Sequence, residues 1–350
     1  MTKISLFSPY QGKKISLLTD EQKHFAQSGY TELKTERFDW LNLVRNDQRD
    51  FSLPKEIRFM WRVTEGELIS ATLECAEDPD FTSGLLCFRA DLSRRIARAH
   101  SLKTGTRYFW RVRGTDRNRT RIISETRSFT TEPEAPRWIL ADGVSNVRDC
   151  GAWVTKKGQP LRQGLLIRGG EMNSHMTIKP DAARFLEHQL GVKAVLDIRG
   201  REELARLPSG GPALSPSVKW FNIPLRPYTE IFTEEQTAMY ARAFRLLLDT
   251  KNLPMYVHCW GGADRTGTFV LLVNAVLGLD DESLILDYEL TSLAIWRDRS
   301  RFSPQFSGLL AGLESYAPGK SLEEKACAYF KSGGITDQEI RKLKQIFIRK

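Results

Sequence analysis

The sequence predicts a chain of two domains, an all-β sandwich followed by an α/β domain whose central sheet is flanked by helices. A length of 350 residues exceeds what a single hydrophobic core usually supports. Short runs that alternate apolar and polar residues fill positions 1–132, whereas apolar strands alternate with helix-like runs over 137–350. A charged, proline-bearing linker at 133–136 separates the two patterns, so we place the domain boundary there.

The first domain is predicted to consist of half-buried strands. Ile57–Val63 alternates outward arginines with inward Phe and Trp, and Ala71–Cys75 alternates again before a turn at Glu77–Asp80. Another turn leads into a strand over 106–113, and residues 124–130 supply a closing strand. Regularly spaced short strands of this kind are typical of a sandwich.

The β pattern resembles a fibronectin type III-like module of the bacterial kind, an immunoglobulin-like sandwich that spans residues 1–132 with a polar insertion around Lys34–Leu53. Tyr108 stands at the start of a strand, where such sandwiches carry a tyrosine whose hydroxyl binds the backbone. Trp61 and Trp110 could form a platform for a glycan, but aromatic residues on alternating strands pack in the core far more often. Since no catalytic set is visible, this domain is predicted to have a positioning role or to bind a protein or glycan partner.

The composition restricts the classes of function. The net charge is +9, and hydrophobic residues make up 41% of the chain, which is ordinary for a globular protein. No basic stripe interleaved with aromatic residues is present, so nucleic acid is not expected as a partner. The positive charge would instead suit a polyanionic substrate or an acidic surface.

Five cysteines are scattered along the chain in a spacing that fits neither a zinc site nor a disulfide framework, although Cys75 and Cys87 could face each other across adjacent strands. The chain opens without an apolar signal region, and no stretch approaches a membrane span. As given, the protein is expected to be soluble and cytoplasmic, and it would be periplasmic or secreted if a signal peptide had been removed.

The second domain carries its chemistry in a loop between an apolar strand and a helix-like run. The segment Val257–Thr268 contains the pattern His-Cys-x5-Arg-Thr-Gly. Glycines let such a loop curl so that backbone N–H groups surround the sulfur, and the helix predicted from about Thr266 points its positive end at a thiolate and a phosphate. The pattern predicts a phosphate trap with a thiolate nucleophile. It excludes a nucleotide-binding loop, since Gly267 is followed by Thr268 rather than by lysine.

This segment resembles the signature of the cysteine-dependent protein tyrosine and dual-specificity phosphatases, and more narrowly that of their bacterial branch. Four further stretches resemble that branch in the same order before the cysteine, namely 144–151, 166–170, 192–199 and 220–225. Low-molecular-weight phosphatases and arsenate reductases carry a similar loop, but near the N-terminus. The resemblance therefore extends across nearly all of residues 137–345 and implies an α/β tyrosine-phosphatase domain.

The resemblance implies a mechanism that needs no metal or other cofactor. Cys259 would attack phosphorus, while Arg265 would hold two phosphate oxygens and the loop amides would bind the rest. His258 would orient the loop and lower the pKa of the thiol, and Thr266 would stabilise the leaving thiolate. The implied phosphate-binding residues are Trp260, Gly261, Gly262, Ala263, Asp264 and Arg265.

The proton donor to the leaving group departs from the pattern of many relatives, which carry an aspartate on a movable loop well before the cysteine. The equivalent stretch 225–230 contains none. Asp264 is therefore the first candidate, because its counterpart in this branch is thought to donate the proton, and Glu230 is the second. The alternative role for Asp264 is structural, as a cap of the following helix.

Charged residues are expected at several strand ends along one edge of the sheet, where open α/β folds bind their ligands. Arg148 is predicted to pair with Asp149, and Arg199 with Asp197, to brace the loop, although each arginine could also contact phosphate or substrate. Arg168 is open to either role.

After the loop, amphipathic helices are predicted over Asp280–Trp296 and Thr336–Ile348, the latter with an N-cap, and both are assigned to the scaffold. Every candidate catalytic residue lies after the linker. Residues 134–350 are therefore expected to hydrolyse a small aryl phosphate by themselves.

The predicted function is hydrolysis of a phosphomonoester, either a phosphorylated protein or a small molecule, by a protein tyrosine or dual-specificity phosphatase. Members of this branch that favour phosphoinositides tend to carry a lysine just before the loop aspartate, where this chain has Ala263. The missing cation favours phosphotyrosine and leaves a phosphoinositide or inositol phosphate as the alternative. An inactive phosphate-reading adaptor is a further alternative, against which the joint presence of Cys259, Arg265 and Thr266 counts.

Overall fold

A computed structural model describes residues 2–27, 50–207, 212–296 and 298–349. The chain divides into two compact units, of which the first comprises residues 1–19 and 54–139 and the second comprises 20–53 and 140–350. This division differs from the predicted one, because residues 20–27 and 50–53 group with the second unit and residues 133–139 group with the first. The predicted polar insertion lies outside the described residues up to position 49.

The first unit is rich in β-structure. Its strands are Lys3–Ser8 (β1), Lys13–Ile15 (β2), Ile57–Glu65 (β3), Leu68–Ala76 (β4), Leu86–Asp91 (β5), Ile96–Ala99 (β6), Arg107–Asp116 (β7), Arg121–Ile123 (β8), Arg127–Thr131 (β9) and Arg137–Trp138 (β10). Strands β1 to β9 hydrogen-bond in the order β1-β3-β6-β5-β4-β7-β9-β2, with β8 added to β7. The pairings are antiparallel except that of β2 with β9.

The core of this unit uses the alternation that the sequence shows. Along β3 every second side chain from Ile57 to Trp61 is buried and the intervening ones are exposed. Trp110 is completely buried and meets Phe59 edge to face, with ring centroids 4.9 Å apart. The Tyr108 hydroxyl accepts a hydrogen bond from the backbone N–H of residue 103 at 2.9 Å. Both Trp61 and Trp110 are therefore core residues and not a glycan platform.

The register of β4 and β5 separates two cysteines that were expected to face each other. Cys75 lies opposite Leu86, and Cys87 lies opposite Glu74. Because neighbouring residues of a strand point to opposite faces, the two thiols lie on different faces of the strand pair. The expectation that they face each other is wrong.

A mixed sheet organises the second unit. Its strands are Arg148–Asp149 (β11), Leu166–Gly169 (β12), Ala194–Asp197 (β13), Lys219–Asn222 (β14) and Met255–His258 (β15). They are ordered β11-β12-β15-β13-β14, with β11 antiparallel and the others parallel. The register sets Gly169 and Asp197 beside His258. The carboxyl ends of three strands therefore meet at one edge.

Helices cover this sheet. They are Asp20–Gln27 (α1), Pro180–Arg184 (α2), Arg201–Leu204 (α3), Glu234–Leu246 (α4), Asp264–Leu277 (α5), Asp281–Glu289 (α6), Pro304–Glu314 (α7), Leu322–Ser332 (α8) and Asp337–Phe347 (α9). From Thr266 onward every residue of α5 is buried, so this helix is the centre of the unit. No helix among the described residues is long and apolar enough to cross a membrane.

The two helices predicted after the loop have different outcomes. The helix predicted over 336–348 is confirmed within one residue, and Thr336 caps it by accepting from the N–H of Glu339. The helix predicted over 280–296 is too long, because α6 ends at Glu289 and a short 3-10 helix follows. There the hydroxyls of Thr291 and Ser292 bind Arg148 and the backbone of Arg299, contacts that local periodicity does not reveal.

Candidate active site

The cysteine loop leaves the central strand β15 and enters α5. Cys259 follows the strand directly and is buried. Gly262 has a φ of 65°, and a Cβ at this position would lie 2.2 Å from the carbonyl oxygen of Gly169. Only glycine therefore fits the turn. The helix begins at Asp264, two residues earlier than expected, so its positive end and first free N–H groups lie within the loop itself.

A network of buried hydrogen bonds holds the inner side of the loop. The Asn146 amide donates to the carbonyl oxygens of Gly261 and Gly262 at 3.0 and 3.1 Å. Arg168 donates to the Gly262 carbonyl at 2.7 Å. Because these carbonyls bind protein donors, the loop is fixed with its carbonyl oxygens turned toward the protein. No described residue accepts from the backbone N–H groups of 260–263, which remain available for an anion.

Asp287 of α6 forms ion pairs with two buried arginines of this network. It binds Arg148 at 2.9 Å and Arg168 at 2.5 Å, and all three side chains are buried. Burial raises the pKa of Asp287, but the two guanidinium groups more than offset it, so the pKa lies below the ordinary carboxyl value. The carboxylate is therefore ionised and brings both arginines under the loop.

The predicted pairing of Arg148 with Asp149 is wrong. Asp149 instead accepts from the backbone N–H groups of Gly151 and Gly164, at 2.8 and 2.5 Å. Arg148 points to Asp287, which lies far away in the sequence on a helix that was assigned only a scaffold role. Arg148 and Arg168 are both completely buried, so the structure places them as braces of the loop rather than on its open side.

The predicted pair of Asp197 and Arg199 is present beside His258, the residue that precedes Cys259. Arg199 Nη2 lies 2.7 Å from Asp197 Oδ2, and the backbone N–H of Arg199 also binds this carboxylate. His258 Nε2 lies 3.8 Å from Asp197, and Nδ1 lies 2.9 Å from the carbonyl oxygen of Cys259. Burial lowers the pKa of His258 despite the nearby Asp197. A neutral His258 can orient the backbone at the cysteine, but it adds no positive charge there.

On the outer side of the loop, Arg265 already has a partner. Its two terminal nitrogens bind Glu203 of α3, with Nη2 to Oε1 at 2.8 Å and Nη1 to Oε2 at 2.5 Å. Burial lowers the pKa of Arg265, but Glu203 and the neighbouring Cys259 thiol raise it by more. The guanidinium therefore lies beside the sulfur with the planar edge that would bind phosphate turned to a carboxylate. No role was predicted for Glu203 from the sequence.

Asp264 is held in the same way. Arg299 binds both carboxylate oxygens, with Nε to Oδ1 at 2.7 Å and Nη2 to Oδ2 at 2.8 Å, and the Tyr228 hydroxyl donates a short hydrogen bond to Oδ1. Burial raises the pKa of Asp264, but Arg299, Tyr228 and Arg265 together lower it by more than burial raises it. The group is therefore a carboxylate in this arrangement. The second candidate acid, Glu230, is exposed, with Arg226 at 3.9 Å.

Two other predicted residues have distinct surroundings. The Thr266 side chain is completely buried, and its hydroxyl has no hydrogen-bond partner among the described residues. A buried hydroxyl without a partner is costly, so it is available to a thiolate formed nearby. Ala263 is buried as well, which leaves no exposed side chain at the position where some relatives carry lysine.

Three aromatic rings border the loop and form what we call the aromatic wall, namely His175, Trp260 and Trp296. The ring centroid of His175 lies 6.2 Å from that of Trp260 and 5.5 Å from that of Trp296. A Cβ added to Gly261 would lie 2.9 Å from the Trp296 ring. Trp260 was predicted as part of the phosphate-binding loop, whereas His175 and Trp296 were not predicted at the site.

Comparison with known proteins agrees with the geometry of the loop. Residues 139–349 match the model of the tyrosine phosphatase family. The chain belongs to this family. The triple specificity protein phosphatase PtpB of Mycobacterium tuberculosis is 25% identical over 206 residues, a match that covers 44% of this chain and 71% of PtpB. The membership establishes a cysteine-dependent phosphatase with an α/β phosphatase domain.

Likeness to solved structures is weaker. The core catalytic domain of the PP-IP phosphatase SIW14 from S. cerevisiae is 17% identical, and the match covers 38% of this chain and 75% of that domain with a TM-score of 0.26. An engineered protein is 12% identical with a TM-score of 0.22, and the match covers 37% of this chain but only 20% of that protein. These scores are too low to carry an argument about substrate.

Proposed function

We propose that this phosphatase hydrolyses phosphotyrosine in proteins, with dual specificity as the broader form, through a cysteinyl-phosphate intermediate. The observation that carries the proposal is the position of the Cys259 thiol directly after β15, with the Arg265 guanidinium beside it and the N-terminus of α5 in the same loop. That arrangement suits an anionic nucleophile and a phosphate group at the same place. Among the described residues no cluster of His, Cys, Asp or Glu could hold a metal ion.

The proposed reaction uses residues of this chain alone. Cys259 Sγ attacks phosphorus in line, the bond from phosphorus to the ester oxygen breaks, and that oxygen takes a proton from Asp264 or from water. Arg265 and the loop N–H groups bind the other phosphate oxygens. Water then attacks phosphorus and breaks the bond to sulfur, and the Thr266 hydroxyl stabilises the departing thiolate. In the resting arrangement Glu203 occupies Arg265, so substrate phosphate must replace or share that partner.

The aromatic wall supports an aryl phosphate. A phosphotyrosine ring that enters the loop would meet the aromatic rings that border it, and aromatic pairs contribute about 0.5–1.5 kcal/mol beyond the area they bury. The buried Ala263 offers no cation for a second phosphate group. Both features favour a singly phosphorylated aromatic substrate over a phosphoinositide.

A substrate panel tests the proposal. The full chain would be offered an aryl phosphate, peptides with phosphotyrosine, phosphoserine and phosphothreonine, and a set of phosphoinositides. We expect the highest kcat/KM for phosphotyrosine peptides, activity that persists in chelator, and phosphate on Cys259 in mass spectra of quenched reactions. Cys259→Ser should lose turnover but still bind the peptide. A clear preference for phosphoinositides would refute the assignment to proteins, and loss of activity in chelator would refute the mechanism.

The β-rich unit is proposed to be a fibronectin type III-like domain that binds a protein or glycan partner. The contact of the Tyr108 hydroxyl with the backbone of residue 103 supports the likeness, because this is the contact that a tyrosine corner makes. A surface variant of this unit should alter hydrolysis of a macromolecular substrate and leave a small aryl phosphate unaffected. Equal effects on both would argue against a targeting role.

A further inference from the structure

We propose that Arg299 is a positioning residue that holds Asp264 as an oriented carboxylate and thereby sets the pH range in which Asp264 protonates the leaving group. This inference rests on the proposed function, in which Asp264 is the candidate acid. It assigns a role to a segment that follows α6 and that the sequence left without one.

Arg299 is held in place from both its backbone and its side chain. Its N–H donates to the Ser292 hydroxyl at 2.8 Å, and the same hydroxyl donates to its carbonyl oxygen at 3.0 Å. Nη1 binds the carbonyl oxygens of Asp298 and Trp296 at 3.0 and 3.4 Å, while Nε and Nη2 bind Asp264. Every nitrogen of the guanidinium therefore has an acceptor. Such a group defines the direction of both carboxylate oxygens.

Other elements also face Asp264. Tyr228, on the 3-10 helix 228–231, donates its hydroxyl hydrogen to Oδ1, and its own oxygen lies 2.9 Å from the hydroxyl of Tyr288 on α6. Burial and the negative Asp264 raise the pKa of Tyr228, so the phenol stays protonated and remains a donor. Arg265, on the same helix as Asp264, adds a further positive charge. Asp264 is therefore surrounded by donors and cations.

The Tyr228 backbone indicates that the surrounding fold imposes this position. Its φ is 54°, in the left-handed region that a tyrosine rarely adopts. Its N–H donates to the Thr268 hydroxyl at 3.3 Å, on the helix that carries Asp264. Backbone strain persists only where neighbouring contacts maintain it. The contacts here place the phenol directly on the carboxylate.

The consequence concerns protonation. A general acid must carry a proton before the leaving oxygen departs, and the arriving phosphate favours that proton by like-charge repulsion. Arg299 acts in the opposite direction, because it stabilises the ionised form. Removal of the Arg299 guanidinium should raise the pKa of Asp264 and extend acid catalysis to higher pH. The carboxyl group should also become less well oriented.

The test compares pH profiles of kcat/KM for an alkyl phosphate, whose leaving group needs a proton, with those for an aryl phosphate that has an acidic leaving group. We expect Arg299→Gln to move the alkaline limb for the alkyl substrate upward by about one pH unit, with Arg299→Lys between it and the wild type. The matched control is Arg301→Gln, since Arg301 lies in the same segment but binds Glu282 and Glu289. Arg301→Gln should show the same alkaline limb of the kcat/KM profile as the wild type.

An unchanged alkaline limb in Arg299→Gln, with both substrates slowed equally at every pH, would show a brace only and overturn the proposal. A second readout is an NMR titration of isotope-labelled aspartate carboxyls, in which Asp264→Asn identifies the Asp264 signal. An equal pKa of Asp264 in the wild type and Arg299→Gln would also overturn it. If the wild type hydrolyses neither phosphate, the proposed function fails, and the titration still decides whether Arg299 controls Asp264. Should Arg299→Gln fail to fold, Arg299→Lys gives both readouts.

Discussion

The two sides of the phosphate loop differ in how their charges are paired. On the inner side, Arg148, Arg168 and Asp287 have side chains with at most 4% of their surface exposed. On the outer side, the pairs Arg265–Glu203 and Asp264–Arg299 keep between 20% and 38% of each side chain exposed. The chain thus surrounds one loop with two kinds of ion pair.

The difference has a physical meaning. Removing one member of a buried pair leaves the other charge without water or a partner, so such a pair acts as a fixed support. A partly exposed pair contributes less to stability, and water or a ligand can reach its charges. The inner side therefore fixes the shape of the loop, while on the proposed function the outer side leaves Arg265 accessible to a phosphate and Asp264, held by Arg299, accessible to a leaving group.

The largest expected effect is on the inner side. Asp287→Asn leaves two buried arginines without a countercharge and should lower the free energy of unfolding by about 3–5 kcal/mol, measured by urea denaturation. Asp281→Asn on the same helix is the control, because Asp281 is exposed and pairs with Lys156 at the surface. A loss below about 1 kcal/mol in Asp287→Asn would remove the distinction between the two sides.

The same residue predicts a dependence on pH. Because the folded state lowers the pKa of Asp287, the stability it contributes is present above the ordinary carboxyl pKa of about 3.9 and is lost as the pH falls below it. Wild type should therefore lose stability more steeply below about pH 4 than Asp287→Asn does. If the melting temperatures of wild type and Asp287→Asn fall by the same amount as the pH is lowered over that range, Asp287 is not the source of this pH dependence.

The next effect is on the outer side and concerns rate. Arg265→Lys keeps the charge but loses the planar edge, and kcat/KM should fall by at least about 10²–10³. Its melting temperature should change little, because the pair with Glu203 is partly exposed. Arg245→Lys, at an exposed arginine that binds Glu339, controls for the substitution itself. A lysine variant with near-normal kcat/KM would show that bidentate binding is not required.

A smaller effect is expected from Ser52, in the part of the second unit that lies between β2 and β3 in the chain. Its buried hydroxyl accepts from the backbone N–H of Asn146, the residue that holds two loop carbonyls. Ser52→Ala should cost about 1–3 kcal/mol of stability, whereas Ser217→Ala in an exposed turn should cost almost nothing. A fragment of residues 134–350 lacks this contact, so we now expect it to be less stable than the full chain. Equal melting temperatures of Ser52→Ala and Ser217→Ala would contradict both the expected cost of Ser52→Ala and the expected loss of stability in the fragment.

The smallest effect is expected from Glu203→Gln. The change weakens the resting partner of Arg265, so inorganic phosphate should inhibit at about two- to fivefold lower concentration, with stability changed by less than about 1 kcal/mol. Glu202→Gln, at the exposed neighbour, is the control. Weaker inhibition by phosphate in Glu203→Gln would mean that Glu203 positions Arg265 for the anion rather than competing with it.

The sequence by itself determined the parts whose contacts are local. The strand before Cys259, the glycine turn, the helix that follows and the capped helix at Thr336 depend on neighbouring residues, and so the pattern predicts them. The pair of Asp197 and Arg199 belongs here as well, because only one residue separates them.

Only the tertiary structure decided which charges meet across the fold. Arg148 and Asp287 are separated by 139 positions, Arg265 and Glu203 by 62, and Asp264 and Arg299 by 35. Each charge has many candidate partners of opposite sign in the sequence, and the packing of α3, α6 and the segment after α6 against the loop selects one. That selection surrounds the cysteine loop with a buried inner support and partly exposed outer pairs.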